Sequence, residues 1–291
     1  MPTIQIDGID TRYDVIGQGP PLLMFSPGGF NATLEQWSSL GIYARTKPLE
    51  HLSTRFSCIV FDRRETGQSG GRVERVGWRD YALQGKGLLE HLGHAQAHLM
   101  GGCMGCGPVL AFAVAYPRLV RSMVLYWPVG GAQYRLTGHQ RFAEHLAYVH
   151  QNGLQKVVEL VQAERKPFGA DPRGGPWASV IARDPAFAAQ YARQPVEPYK
   201  RVVAGMARTL IDRDTAPGAE PEDLMGLAIP ALIIPGKDAS HATSAARYLE
   251  ECLAGADYWD AAPADQTEQA SAARLLGFLG GVEARIEGRL P

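Results

Sequence analysis

The chain has 291 residues, 29 Lys plus Arg against 30 Asp plus Glu, and 45% hydrophobic residues. That balance excludes a disordered chain, and the lack of a basic excess argues against a dedicated nucleic-acid binder. Four cysteines are too sparse for a disulfide scaffold, and no apolar run approaches the roughly 18 residues of a membrane span.

The opening Met1-Pro2-Thr3-Ile4 lacks the basic and apolar regions of a signal peptide, so a cytoplasmic globular protein is expected. Segments 4–6 and 12–16 alternate weakly around Asp7-Gly8, as in an antiparallel hairpin. Apolar runs follow at 21–26, 56–62, 96–101, 120–127 and 229–236, with a short last strand at 256–259. Between them, helical spacing marks 78–92, 108–116, 243–253 and 268–279. Near-continuously apolar strands alternating with helices predict an α/β fold whose mostly parallel sheet is covered on both faces.

One stretch breaks the alternation. Residues 130–225 contain no convincing strand, and 141–149, 154–165, 177–193 and 199–213 have helical patterns punctuated by Pro and Gly. A helical cap inserted between two strands is expected. The domain organisation is then 1–129 and 226–291 for the core and 130–225 for the cap.

The most informative segment is His98-Leu99-Met100-Gly101-Gly102-Cys103-Met104-Gly105-Cys106-Gly107. A strand runs through G-x-C-x-G into a helix of small residues. Such a sharp turn exposes its central side chain, and small residues two before and two after it let strand and helix approach. The helix N-terminus beside Cys103 favours a thiolate and a developing oxyanion.

With that elbow the chain resembles the α/β-hydrolase superfamily, as a member with cysteine at the nucleophile position. Ser26-Pro27-Gly28-Gly29-Phe30 stands where the family has its oxyanion loop, usually His-Gly. Asp62-Arg63-Arg64-Glu65-Thr66-Gly67-Gln68-Ser69 is similar to the family's D-x-R-G-x-G-x-S. Tyr116-Pro117 with the strand after it, and Pro230 through Gly236-Lys237-Asp238, resemble the continuation and the strand that supplies the acid. The resemblance spans nearly the whole chain except the cap. Dienelactone hydrolases and polyhydroxyalkanoate synthases are members that use a cysteine.

The resemblance implies a nucleophile at Cys103, an acid at Asp238, and an oxyanion hole from the Met104 amide with that of Gly29 or Phe30. It also implies a base, and here the sequence departs from the family. The family places a histidine after the last strand, where this chain reads Asp260-Ala261-Ala262-Pro263-Ala264-Asp265-Gln266-Thr267. The last histidine is His241, three residues beyond Asp238. Its loop opens at the carboxyl edge of the sheet, where sites of open α/β sheets lie, so His241 is the candidate base. A thiol tolerates a displaced base because it ionises more readily than a hydroxyl. Asp238 alternatively caps the helix starting near Thr243, and Asp260 or Asp265 could serve in the usual histidine position.

Trp127, Tyr126, Trp37, Phe30 and Trp177 are candidate pocket walls, each with core packing as the ordinary alternative. Arg63 and Arg64 are expected in structural pairing. Cys103-x-x-Cys106 also matches redox and zinc spacing, but a zinc site would need two more ligands that the flanking sequence lacks. Cys58, Cys106 and Cys252 read as packing residues. No cofactor and no metal is expected. Ile286-Glu287-Gly288-Arg289 matches a protease recognition sequence and is left out of the functional reading.

The expected function is a cysteine-nucleophile hydrolase or acyl transferase acting on a small ester, lactone, thioester or amide. The alternatives are a C–C bond hydrolase or lyase on the same scaffold, or a non-catalytic ligand-binding protein. The expected partner is a small-molecule substrate rather than nucleic acid or membrane, and a homodimer is the protein assembly left open. The net charge gives no hint of substrate charge.

Overall fold

Each near-continuously apolar segment becomes a strand buried on both faces, and the segments together form one eight-stranded sheet. A computed structural model describes residues 1–288; Arg289 of the protease-like tail lies outside the described residues. The strands are β1 (Thr3–Ile6), β2 (Ile9–Ile16), β3 (Pro21–Phe25), β4 (Ser57–Phe61), β5 (Ala97–Gly102), β6 (Val120–Tyr126), β7 (Ala231–Ile234) and β8 (Asp257–Tyr258). Their order across the sheet is β1-β2-β4-β3-β5-β6-β7-β8. Only β1–β2 and β2–β4 are antiparallel. The first hairpin turns through Asp7 at φ 51° and Gly8 at φ 71°, the two positive angles that such a two-residue turn requires.

Successive residues of a strand point to opposite faces. Leu23, Phe25, Ile59 and Leu99 therefore join one core, while Leu22, Met24, Val60 and Met100 join the other. The first core lies under the helices Trp78–His91 and Cys106–Ala115. Cys106 through Ala113 are all buried, as expected of a helix apolar on every side. The second core is closed by Pro48–Leu52 and the C-terminal helix Glu268–Ile286. His98 of β5 ties that last helix down: Nδ1 meets the Ser122 hydroxyl at 2.7 Å and Nε2 meets Glu283 at 2.8 Å.

Between β6 and β7 the described chain is helical and irregular. The patterns at 141–149 and 154–165 belong to one long segment, Ala132–Glu164, bent at Gly153 where φ is 75°. The pattern at 177–193 divides into Ala178–Arg183 and Pro185–Ala192. The Asp184 side chain caps the second helix by accepting from the Ala186 and Phe187 amides. Val196–Leu210 packs on the long segment, where the Tyr199 hydroxyl bonds the buried His145 Nε2 at 2.5 Å.

The topology also sets where a site can form. β3 lies between β4 and β5, so the chain leaves β3 in one direction and resumes the sheet in the other. The carboxyl ends of β3 and β5 are neighbours, with Phe25 in register with Gly101. This reversal of strand order opens the crevice in which ligands of open α/β sheets bind. The loop beginning at Ser26 and the turn at Cys103 meet there.

Candidate active site

Cys103 sits at the junction of β5 and a helical turn, with φ at 54°. A left-handed angle is uncommon for a residue with a side chain, and it throws the thiol out of the sheet. The flanking glycines are needed for space. A Cβ on Gly105 would lie 2.2 Å from the Phe25 carbonyl oxygen, and one on Gly101 would lie 2.5 Å from that of Gly105. Strand, turn and helix could not approach this closely with larger residues.

Asp238 and His241 share the loop after β7. The Asp238 carboxylate accepts from the Ser240 and His241 amides at 2.8 and 3.0 Å, and from His241 Nδ1 at 2.8 Å. The loop is held from outside as well. Gly130 donates to the Ser240 carbonyl at 3.0 Å, and its own carbonyl accepts from the Ala242 amide at 3.3 Å. Gly236 leaves room for the imidazole, since a Cβ there would fall 2.6 Å from that of His241. Nδ1 is thus committed to Asp238, while Nε2 is buried without a hydrogen-bond partner.

Nε2 and the Cys103 thiol interact electrostatically without closing a conventional hydrogen bond. Burial alone would raise the thiol, but His241 and the Met104 and Gly28 amides outweigh it and hold Cys103 below its ordinary pKa. Burial would likewise lower His241, but Cys103 and Asp238 carry it up to about 9. Burial also acts to raise Asp238, yet His241 and the two amides keep it below the usual value. All three shifts act toward the charged forms of thiol, imidazole and carboxyl.

These groups open on a cavity of 360 Å³. Cys103, Asp238, His241, Gly29, Phe30 and Trp127 all line it. Met104 is buried with its amide at the sulfur. A second backbone contact to the sulfur comes from Gly28, and Gly29 and Phe30, the expected oxyanion donors, line the cavity beside it. Trp37 and Tyr126 do not line the cavity. Trp37 is fully buried against Tyr43, and Tyr126 is fully buried with its hydroxyl on Thr46 at 3.0 Å. The alternation of β6 directs Tyr126 into the core, and the next residue, Trp127, turns out at φ 53°. Trp177 is also core, its indole donating to the Arg72 carbonyl at 2.9 Å.

In the loop after β8, Asp265 is exposed, and Asp260 is exposed with Arg247 at 3.2 Å. The buried residue there is Gln266. It accepts from the Trp127 indole at 2.7 Å and donates to the Pro235 and Ala261 carbonyls at 2.8 and 3.0 Å. Trp127 in turn lies against His241, with ring centroids 5.4 Å apart. The position near which the family keeps its histidine therefore buttresses the displaced one.

Sequence reasoning missed Gln266, Tyr134 and Arg141. The last two line the cavity from the helix that starts at Ala132. Their seven-residue spacing, two helical turns, was a usable signal. Arg63 does pair structurally: it donates to the Gly29 carbonyl at 2.5 Å and stacks over Tyr81. Arg64 binds Glu65 at 2.8 Å, and Glu65 adopts φ 67° where the family motif has glycine. All four cysteines are free.

Over 91 residues the chain is 37% identical to a Pantoea ananatis protein named "Putative carbamate hydrolase RutD". That match spans 30% of this chain and about a third of the relative, 33%. Whole-chain structural similarity extends to the enol-lactonase of Burkholderia xenovorans LB400, at TM-score 0.60 and 19% identity, covering 96% of this chain and 100% of that one. It extends also to a hydrolase from Pseudomonas aeruginosa PA01, at TM-score 0.63 and 21% identity, covering 96% and 98%. At such identities the likeness speaks for the fold. The model of the alpha/beta hydrolase fold family matches residues 21–171, from β3 through the elbow and into the long helix. The chain belongs to the α/β-hydrolase fold family.

Proposed function

We propose that the protein is a hydrolase or acyl transferase that works through an acyl-thioester on Cys103. The observation that carries this reading is the line from Asp238 through His241 to Cys103, with Nδ1 committed to the carboxylate and Nε2 left unpartnered toward the thiol. A nucleophile, a base and a group that orients the base are the components of acyl transfer, recognised by geometry rather than by order in the chain.

In this reading the Cys103 thiolate attacks the carbonyl carbon of a small ester, lactone, thioester or amide, and a C–S bond forms. The Met104 and Gly28 amides receive the oxyanion. His241 passes its Nε2 proton to the leaving oxygen, sulfur or nitrogen as that bond breaks. Water, or another nucleophile, then attacks the thioester and gives its proton to His241. Cleavage of that C–S bond releases the acyl product and returns the thiolate. A carbamate, named for the relative, presents the same kind of carbonyl. The helical segment between β6 and β7 acts as a cap that shapes the cavity. A cavity of 360 Å³ suits a small substrate.

The test is intact-mass spectrometry after rapid mixing with activated acyl esters such as 4-nitrophenyl butyrate. The reading expects a butyryl adduct on Cys103 that decays with turnover and is absent in Cys103→Ala. Turnover that survives in Cys103→Ala, or none with any carbonyl substrate alongside a thiol no more reactive than Cys252, would overturn it.

A further inference from the structure

The charges around the cavity are unequally matched. Asp238 is paired with His241. Asp212, which acts on the Tyr134 hydroxyl, is paired with Arg213 through one carboxylate oxygen, while its other oxygen is buried without a partner. Arg141 is different. It lines the cavity yet makes no hydrogen bond or ion pair with any described residue. Two helical turns before it on the same helix, Tyr134 also faces the cavity, and its hydroxyl is buried without a partner. Residues seven apart lie on one helix face, so the guanidinium and the phenol address one region.

A second cation lies close to them. Arg63 is 3% exposed, with one guanidinium nitrogen on the Gly29 carbonyl and its Nε and Nη1 unpartnered. Burial holds the Tyr134 hydroxyl protonated, Cys103 and Asp212 push the same way, and Arg63 and Arg141 oppose them. Phe30, Leu40, Ile42 and Val129 make much of the remaining wall apolar. The Tyr134 hydroxyl and the free donors of Arg63 are buried without partners, which is costly without a ligand, and half-buried Arg141 is the cation that lines the cavity beside them. Planar guanidinium donors match the two oxygens of a carboxylate, and the phenol can donate a further hydrogen bond.

We infer that Arg141 and Tyr134 form a carboxylate-binding subsite, so that the natural substrate carries a carboxylate on its acyl or leaving portion. The inference rests on the acyl-transfer reading only for the word substrate; the subsite itself is a binding property.

The experiment uses calorimetric titration with hexanoate and with hexanamide, a carboxylate and an amide of the same shape. It is run on the full chain carrying Cys103→Ala, so that no turnover intervenes. The expected result is that hexanoate binds ten- to a hundredfold more tightly than hexanamide. Adding Arg141→Gln should abolish that preference while leaving hexanamide binding unchanged, and Tyr134→Phe should reduce it severalfold. Arg141→Lys, which keeps the charge, should restore part of it. Equal binding of the two probes, a preference that survives Arg141→Gln, or no recovery with Lys overturns the inference. If Arg141-dependent discrimination is found but no acyl-Cys103 forms in the unsubstituted protein, the subsite stands and the chemistry falls. The converse pair of results removes the subsite alone.

Discussion

The Asp238 carboxylate meets His241 Nδ1 through both oxygens, at 2.8 and 2.9 Å, with only two residues between them in the chain. The same carboxylate caps the Ser240 and His241 amides, so one tight loop both folds itself and orients the imidazole. In most acid–histidine pairs of this kind the partners come from separate loops. Here the pair is local, and its placement against Cys103 depends on the neighbouring contacts of Gly130 and Trp127.

His241→Ala should lower kcat by about 10²- to 10⁴-fold, the usual worth of a positioned base. Asp238→Asn should cost less, because His241 keeps its place through Gly130 and Trp127 while losing the orienting charge. Steady-state kinetics on one activated ester compares the two. A smaller loss in His241→Ala than in Asp238→Asn would contradict the assigned order of roles.

The titration of the pair predicts a specific pH response. Cys103 is held below its ordinary pKa, so its alkylation by iodoacetamide should half-saturate below pH ~8.5. Cys58, pushed up to about 12 by burial, should stay inert over that range. In His241→Gln the burial cost of the thiolate remains and its main offset is gone, so the Cys103 midpoint should move upward. Proton donation to the leaving group needs the imidazolium, so kcat/KM should fall as pH rises through about 9. A Cys103 midpoint that does not move in His241→Gln would break the proposed coupling.

Gln266 offers a test of the buttress. Gln266→Leu removes three hydrogen bonds and leaves the Trp127 indole and the Pro235 carbonyl unsatisfied. The expected loss of stability is about 2–4 kcal/mol, from denaturant midpoints at constant slope. Activity measured well below the melting temperature should fall too, because Trp127 no longer holds the imidazole from behind. Full activity in a folded Gln266→Leu protein would mean that Gly130 alone suffices.

Stability in acid should be governed by buried histidines. Burial, outweighing Glu283, lowers His98 to about 4, and burial lowers His145 likewise to about 4. Both are neutral in the folded chain near pH 5, whereas the unfolded chain binds protons at pH values below about 6.5. The unfolded state therefore takes up more protons between these limits, and stability falls as pH drops from about 6.5 towards 4. Each site accounts for on the order of 3 kcal/mol at the lower end. His98→Gln should flatten part of the decline in a pH series of denaturant melts, and an unchanged slope would count against the assignment.

The sheet, its helices and the elbow were readable from the chain because they rest on local rules. Continuous apolar runs at β3 through β7 can only be strands buried on both faces, and two glycines flanking Cys103 can only serve a close approach. The proposal of Cys103, His241 and Asp238 as site residues rests on the α/β-hydrolase resemblance and on loop positions, and the fold brings all three to one cavity. Other features depended on how distant segments meet. That Tyr126 faces the core and Trp127 the cavity is decided by a single left-handed residue at the end of β6. That Gly28 joins Met104 at the sulfur is likewise decided by how the loop after β3 meets the elbow. Gln266 becomes a brace for His241 only through Trp127, 139 positions away in sequence. Arg141 is one of many surface-like arginines in the sequence, and the folded chain singles it out by placing it at the wall of a cavity without a side-chain hydrogen-bond or ion-pair partner among the described residues. Composition counts charges, but only the tertiary structure decides which of them lacks a partner, since pairing is a matter of distance in space and not of order in the chain.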